Sequence, residues 1–243
     1  MRLDKFICKS TELSRTEAKK LLKSGEVRVN GEVAKKPDMQ VHENNTITID
    51  GNELTARNSR YFILHKVADS ICSNVDEVYP SVLNFIDVDK AFDLHIAGRL
   101  DADTTGLVLI TDDGRWSHNV ISPKKHCQKT YRVWLRNAID DEKLISLIEH
   151  FKVGVQLQGE SSLTRPAILA LVSQEEVEVE EDYRHEVLLT ITEGKYHQVK
   201  RMFAAVGNRV VGLHREQIGD IKLGDLAPGE WRSLTEAEIA LFS

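Results

Sequence analysis

Gly98-Arg99-Leu100-Asp101-Ala102-Asp103-Thr104-Thr105-Gly106-Leu107 is the stretch on which the reading of this chain turns. A polar, turn-forming segment sets an aspartate near an arginine and then runs straight into the apolar strand Leu107-Val108-Leu109-Ile110. A strand fixes the backbone at its lip while the loop leaves the carboxylate reachable, so Asp101 can be aimed at a substrate. Composition alone makes such an aspartate a turn or cap residue. Asp103, Asp112 and Asp113 are expected to have that role, through local backbone hydrogen bonds.

Outward from this loop, Arg60-Tyr61-Phe62-Ile63-Leu64-His65-Lys66 reads as a buried strand opening a large domain, and Val82–Ile86 as a short helix. Asp112-Asp113-Gly114 is a turn, and a helix over Arg115–Ile121 is stopped by Ser122-Pro123. Thr130–Leu135 alternates as a strand, and Asp140–Phe151 is an amphipathic helix through Leu144, Leu147 and Ile148. Ala167–Val172 and Glu186–Thr192 read as paired strands. Val199, Met202, Phe203 and Val206 have helical spacing, with Gly207 as the cap, and a last helix starts at Thr235-Glu236-Ala237-Glu238. Strands and helices do not alternate strictly, so an α+β fold with a mainly antiparallel central sheet is expected over a doubly wound one.

The first 54 residues read as a separate module, with residues 55–60 as linker and 61–243 as the second domain. Leu3, Phe6 and Ile7 share one helical face, as do Ala18, Leu21 and Leu22. Ser14-Arg15-Thr16-Glu17 is a capping box, and Ser24-Gly25 ends the helix it starts. Val27–Val33 alternates around Asn30-Gly31, a strong hairpin signal, and Thr46–Asp50 supplies another strand. Arg2, Lys5 and Lys9 lie off the apolar face of one helix, and Arg15, Lys19, Lys20 and Lys23 off that of the other.

The charge is asymmetric. The 243 residues carry a net −6, but residues 1–36 hold ten Lys/Arg against five Asp/Glu, which leaves −11 for the remainder. A basic end on an acidic protein is a local electrostatic footprint for a polyanion. The acidic run Glu175–Asp182 is expected to be a solvated hairpin end facing away from such a partner. No apolar run reaches the ~18 residues a membrane span needs, and the N-terminus lacks the apolar core of a secretory signal. Cys8, Cys72 and Cys127 are scattered and read as reduced cytoplasmic thiols. His197 has no second histidine or cysteine at ligand spacing, so no metal site is expected.

The motif Gly98-Arg99-Leu100-Asp101-x-x-Thr104-x-Gly106-Leu107, followed by Thr111-Asp112-Asp113-Gly114, resembles the active-site motif of the pseudouridine synthases, in the branch that modifies ribosomal RNA. Lys129-Thr130-Tyr131 matches the family's Lys-x-Tyr element. Glu193–Met202 resembles its third motif, in which a cation follows Gln-Ile/Val. Helix, helix and a Val-x-Val-Asn-Gly hairpin resemble the S4 RNA-binding domain. The likeness runs from Leu3 to Leu234, with one departure. Lys66-Val67-Ala68-Asp69 stands where the family has Lys-Pro-x-Gly, so that loop should be less constrained.

The resemblance implies isomerisation of one uridine to pseudouridine in small-subunit (16S) ribosomal RNA, within an assembly particle. No redox or phosphoryl step occurs, so no cofactor is expected. Asp101 is the implied nucleophile or electrostatic catalyst, and Lys200 its ion-pair partner, with Arg201 the runner-up for that post and otherwise a substrate contact. Tyr131, an ordinary core tyrosine by periodicity, is implied to stack on the target uracil. Arg99 is implied to enter the RNA stack in place of the flipped base. Arg2, Lys5, Arg15, Lys19, Lys20 and Lys23 are implied to grip phosphates. A cytoplasmic monomer is expected. The competing readings are a large-subunit (23S) synthase, a non-catalytic S4 assembly protein, and a two-carboxylate hydrolase; the last needs carboxylates placed across a cleft, which Asp101 and Asp103 in one loop do not give.

Overall fold

The computed structural model describes residues 1–42, 44–172 and 186–243; the acidic run Glu175–Asp182 lies outside them. The chain divides into two compact units, Met1–Ser59 and Arg60–Ser243.

In the first unit, α1 (Leu3–Ser10) and α2 (Arg15–Ser24) precede β1 (Val27–Val29), β2 (Glu32–Val33), β3 (Ile47–Ile49) and β4 (Asn52–Glu53). The capping box forms reciprocally. The Glu17 N–H donates to Ser14 Oγ at 3.3 Å, and the Ser14 N–H to Glu17 Oε2 at 2.8 Å. Gly25 ends α2 at φ 84°, a conformation few residues with a Cβ adopt. Asn30 and Gly31 both have positive φ (51° and 86°), as a two-residue hairpin with matching twist demands. The strands form an antiparallel sheet in the order β2-β1-β3-β4. Leu3, Ile7, Ala18, Leu22, Val27 and Ile47 are buried against one another.

The second unit comprises β5 (Tyr61–Lys66), β6 (His95–Ala97), β7 (Thr105–Thr111), α3 (Gly114–Ile121), β8 (Lys129–Leu135), α4 (Asp141–Val153), β9 (Ile168–Leu171), β10 (Glu186–Ile191), α5 (Gln198–Ala205), β11 (Val210–Ile218), β12 (Ile221–Lys222), β13 (Trp231–Ser233) and α6 (Glu236–Ala240). Val82–Phe85, expected as a short helix, is a 3₁₀ turn capped by the Ser81 hydroxyl. Its sheet runs β13-β5-β7-β11-β8-β10-β9, with β6 on β7 and β12 on β11. Every pairing is antiparallel except β7 with β11.

Alternation along a strand sends successive side chains to opposite faces. Phe62, Leu64, Val108 and Ile110 therefore join one core with α4 and α5, while Ile63, Leu107 and Leu109 join another with α3. Strand β7 is buried on both faces, which explains why it reads as a continuous apolar run. Phe151 of α4 meets Phe203 of α5 edge to face at 5.2 Å. On the other side Trp116 packs edge-on to Phe242 at 5.4 Å and donates its indole N–H to the Ile239 carbonyl.

Candidate active site

The Asp101 loop joins β6 to β7, and two buried cations hold its backbone. Lys66, at the end of β5, donates its ammonium to the carbonyls of Thr104 (2.8 Å), Ala102 (3.1 Å) and Val67 (3.1 Å). Arg215, on β11, donates to the Leu107 carbonyl through Nε (2.8 Å) and to the Gly98 carbonyl through Nη2 (2.6 Å). Both residues are 1% exposed. Burial pushes the Lys66 pKa below the usual lysine value, opposed by nearby Cys72, Asp103 and Asp101. Gly106 faces Arg215 across the parallel pairing, at φ 106°. A Cβ at position 106 would run into the Arg215 carbonyl oxygen, which is why the motif needs glycine there.

The loop after β5, with no proline and no glycine, is held all the same. Asp69 occupies the glycine slot with φ 58°, and its N–H donates to the Ala102 carbonyl at 3.0 Å. Aspartate tolerates the left-handed region better than most residues, so the departure from Lys-Pro-x-Gly alters composition and keeps the left-handed bend.

Asp101 is presented with its side chain 31% exposed. Lys200, in the first turn of α5, places its ammonium 3.1 Å from Asp101 Oδ2. The same ammonium bonds both oxygens of Asp103, at 2.7 and 2.9 Å. Asp103 is therefore a partner of the lysine in addition to accepting the local backbone bond that sequence reasoning gave it. Burial alone would lower the Lys200 pKa, but the hydrogen bonds to Asp103 and Asp101 outweigh it and hold it above the ordinary value. Desolvation likewise pushes Asp103 up, and the Lys200 bond overrides it to leave its carboxyl below the usual range. Asp112 also departs from expectation, because it accepts from the Arg60 N–H and Nε at 3.0 and 2.9 Å. Asp113 does cap α3, accepting from the N–H groups of Arg115 and Trp116.

Arg201 takes no part in the Asp101 pairing. Adjacent helical positions diverge by roughly 100°, and its guanidinium instead meets Glu160 Oε1 (3.2 Å) and the carbonyls of Tyr196 (3.0 Å) and Gln158 (2.8 Å). His197, dismissed from the sequence as a metal ligand and given no other role, is the second group on Asp101, with Nε2 3.3 Å from Oδ1. Tyr131 on β8 is 7% exposed and lies opposite Arg215 of β11. Arg215 Nη1 donates to the Tyr131 oxygen at 3.4 Å, so one side chain joins the tyrosine to the loop that carries Asp101. Arg99 is exposed and lines an open cavity of about 640 Å³ with Cys72, Asn74, His95 and His118. Lys129 is buried and donates to the Cys127 carbonyl at 3.0 Å.

Sequence reasoning missed Arg215, although alternation from Leu213 would have turned it inward. In the N-terminal unit Arg15, Lys19, Lys20 and Lys23 are exposed and Lys5 is half-buried. Arg2 is exposed but grips buried Asp4 through Nε (3.0 Å) and Nη2 (2.7 Å). Lys9, expected off the apolar face, is 6% exposed and donates to Ser59 Oγ at 2.6 Å, its stem following the packed surface.

Among the described residues no helix is long and apolar enough to cross a membrane. The chain matches the RNA pseudouridylate synthase family over residues 60–205 and the S4 domain over residues 1–47. It is 51% identical over 240 residues to the ribosomal small subunit pseudouridine synthase A of Vibrio parahaemolyticus, covering 98% of each chain. It is 48% identical over 242 residues to the protein of that name from Escherichia coli (strain K12), covering 99% of each. A crystal structure of a pseudouridylate synthase aligns over 100% of both chains with TM-score 0.68 and 44% identity. A match over more than half the chain, together with full-length relatives at such identity and a lysine-paired carboxylate in the motif loop, settles the kinship: this chain belongs to the RNA pseudouridylate synthase family and carries an S4 domain ahead of the synthase segment.

Proposed function

We propose that this protein isomerises a uridine of small-subunit (16S) ribosomal RNA to pseudouridine, acting in the cytoplasm as a monomer on RNA within an assembly particle. The observation that carries the reading is the partly exposed Asp101 carboxylate held at 3.1 Å by Lys200 from a helix 99 residues further along the chain. The names of the full-length relatives support the choice of small-subunit RNA.

In the reaction the bond from C1′ to N1 of uracil breaks, the ring turns, and C1′ bonds to C5; N1 gains a proton and C5 loses one. Asp101 is the nucleophile or electrostatic catalyst, positioned by the Lys66 and Arg215 clamp and paired with the Lys200 ammonium. Tyr131 supplies the flat partner for the freed ring, its orientation fixed by Arg215. Arg99, exposed beside the loop, replaces the extruded base in its stack. Arg201 supports the substrate side by holding the loop before α5 in place. Arg15, Lys19, Lys20 and Lys23, with Arg2 and Lys5, contact phosphates without reading sequence.

The test uses small-subunit ribosomal RNA transcript tritiated at uracil C5. The wild-type protein should release tritium, and Asp101→Asn should bind the RNA and release none. Isomerase activity retained by Asp101→Asn would remove the residue from its role. Release only from large-subunit RNA would move the substrate to that particle.

A further inference from the structure

Tyr196 is a large aromatic side chain left 77% exposed in a loop that is otherwise tightly fastened. Its ring stacks on His197 with centroids 3.8 Å apart and planes 23° from parallel. His197 in turn touches Asp101, Nε2 to Oδ1 at 3.3 Å. The column thus begins at the carboxylate and ends in an open tyrosine face, one stacking layer beyond the histidine.

The loop holds this column rigidly. His197 is in the left-handed region (φ 48°, ψ 35°), a strained state for a residue with a side chain that persists only where the surroundings enforce it. The enforcing contacts are present. Gln198, 4% exposed, accepts from the Lys195 N–H at 2.8 Å and donates to Glu193 at 2.9 Å. Arg201 donates to the Tyr196 carbonyl at 3.0 Å, and Lys195 and Arg201 both bond Glu160, at 2.7 and 3.2 Å. Lys195 and Arg201 therefore hold a loop, and what the loop presents is a ring face. An exposed ring with one face already stacked offers the other to a flat ligand at little cost in conformational freedom.

We propose that Tyr196, backed by His197, is a stacking platform for an unpaired base of the RNA strand flanking the nucleotide handled at Asp101. The occupant is a nucleobase because the platform is flat, already stacked on one face by His197, and continuous with the carboxylate. Every base has a π-face, so the contact adds affinity without selecting sequence. This inference rests on the isomerase reading of Asp101, and extends it to a second subsite.

The experiment measures equilibrium binding to untritiated small-subunit transcript by filter retention, and separately the single-turnover tritium release at saturating protein. Tyr196→Ala should weaken binding roughly 5- to 100-fold. Its salt dependence should match wild type, since no phosphate contact is lost. Tyr196→Phe should bind as wild type. Three results would each overturn the proposal: unchanged binding by Tyr196→Ala, wild-type binding by Tyr196→Leu (bulk suffices), or Tyr196→Phe as weak as Tyr196→Ala (the hydroxyl acts). If wild type releases no tritium, the isomerase reading fails, while filter retention still decides the platform.

Discussion

Replacing Lys200 by methionine isolates the feature on which the site depends. The methionine keeps most of the stem and removes the ammonium from three contacts: 3.1 Å to Asp101 and 2.7 and 2.9 Å to Asp103. A hydrogen bond to a charged group is worth about 1.5–3 kcal/mol. If the Asp101 bond is realised in the transition state, its loss slows the saturated reaction roughly 10- to 150-fold. The stability cost is smaller. The lysine side chain is 27% exposed and the carboxylates 31% and 71%, so solvent screening reduces the pairing to about 1 kcal/mol. The carboxyl of Asp103 sits below its ordinary value in the folded state, so its share of that stability is complete above about pH 4 and disappears as pH falls through the lowered value. The Lys200 pKa is raised, so its share is complete below about pH 10 and fades as pH rises through the raised value. Urea unfolding should therefore separate wild type from Lys200→Met by about 1 kcal/mol at pH 7 and by progressively less as the pH falls below about 4. Tritium release measures the rate. A variant within twofold of the wild-type rate would show that the pairing is no part of the chemistry, and a pH-independent stability gap would refute the linkage.

Three further outcomes are expected. Arg215→Met removes bonds of 2.8 and 2.6 Å to two carbonyls, and relief of a buried charge offsets part of the loss. We expect a net cost of about 2–4 kcal/mol in urea unfolding, and release should slow at a temperature where the variant is still folded; wild-type stability would contradict the clamp. Asp69→Gly should stabilise by about 0.5 kcal/mol, the relief at φ 58° exceeding the added chain entropy, with the release rate unchanged; a destabilised variant would show that the aspartate side chain holds the bend. Replacing Lys19, Lys20 and Lys23 together by alanine should reduce the slope of log binding constant against log salt by about 2–3; an unaltered slope would take α2 off the RNA.

The parts of the fold and of the site that were legible in the sequence are those set by neighbours along the chain. The Asn30-Gly31 turn, the Ser14 and Thr235 capping boxes and the buried run of β7 each follow from a few adjacent residues. Asp101 was legible because its motif is a single loop. Groups brought in from other elements were not. Arg215 looks like any polar residue of an alternating strand until β7 is seen beside β11, and Asp103 looks like a turn cap until Lys200 arrives from α5. His197 was weighed only as a metal ligand because the carboxylate it touches, Asp101, is 96 residues away in sequence. Lys9 was misplaced because a lysine can bury its stem and still find an oxygen for its ammonium.

The pairing of β7 with β11 has a consequence for how the protein comes into being. Chains are made from the N-terminus and domains organise as they emerge. The guanidinium that ties down both ends of the motif loop belongs to residue 215 of 243. The chain must therefore be made at least as far as β11 before the motif loop is fastened at both ends, so the loop is set late although it is made early.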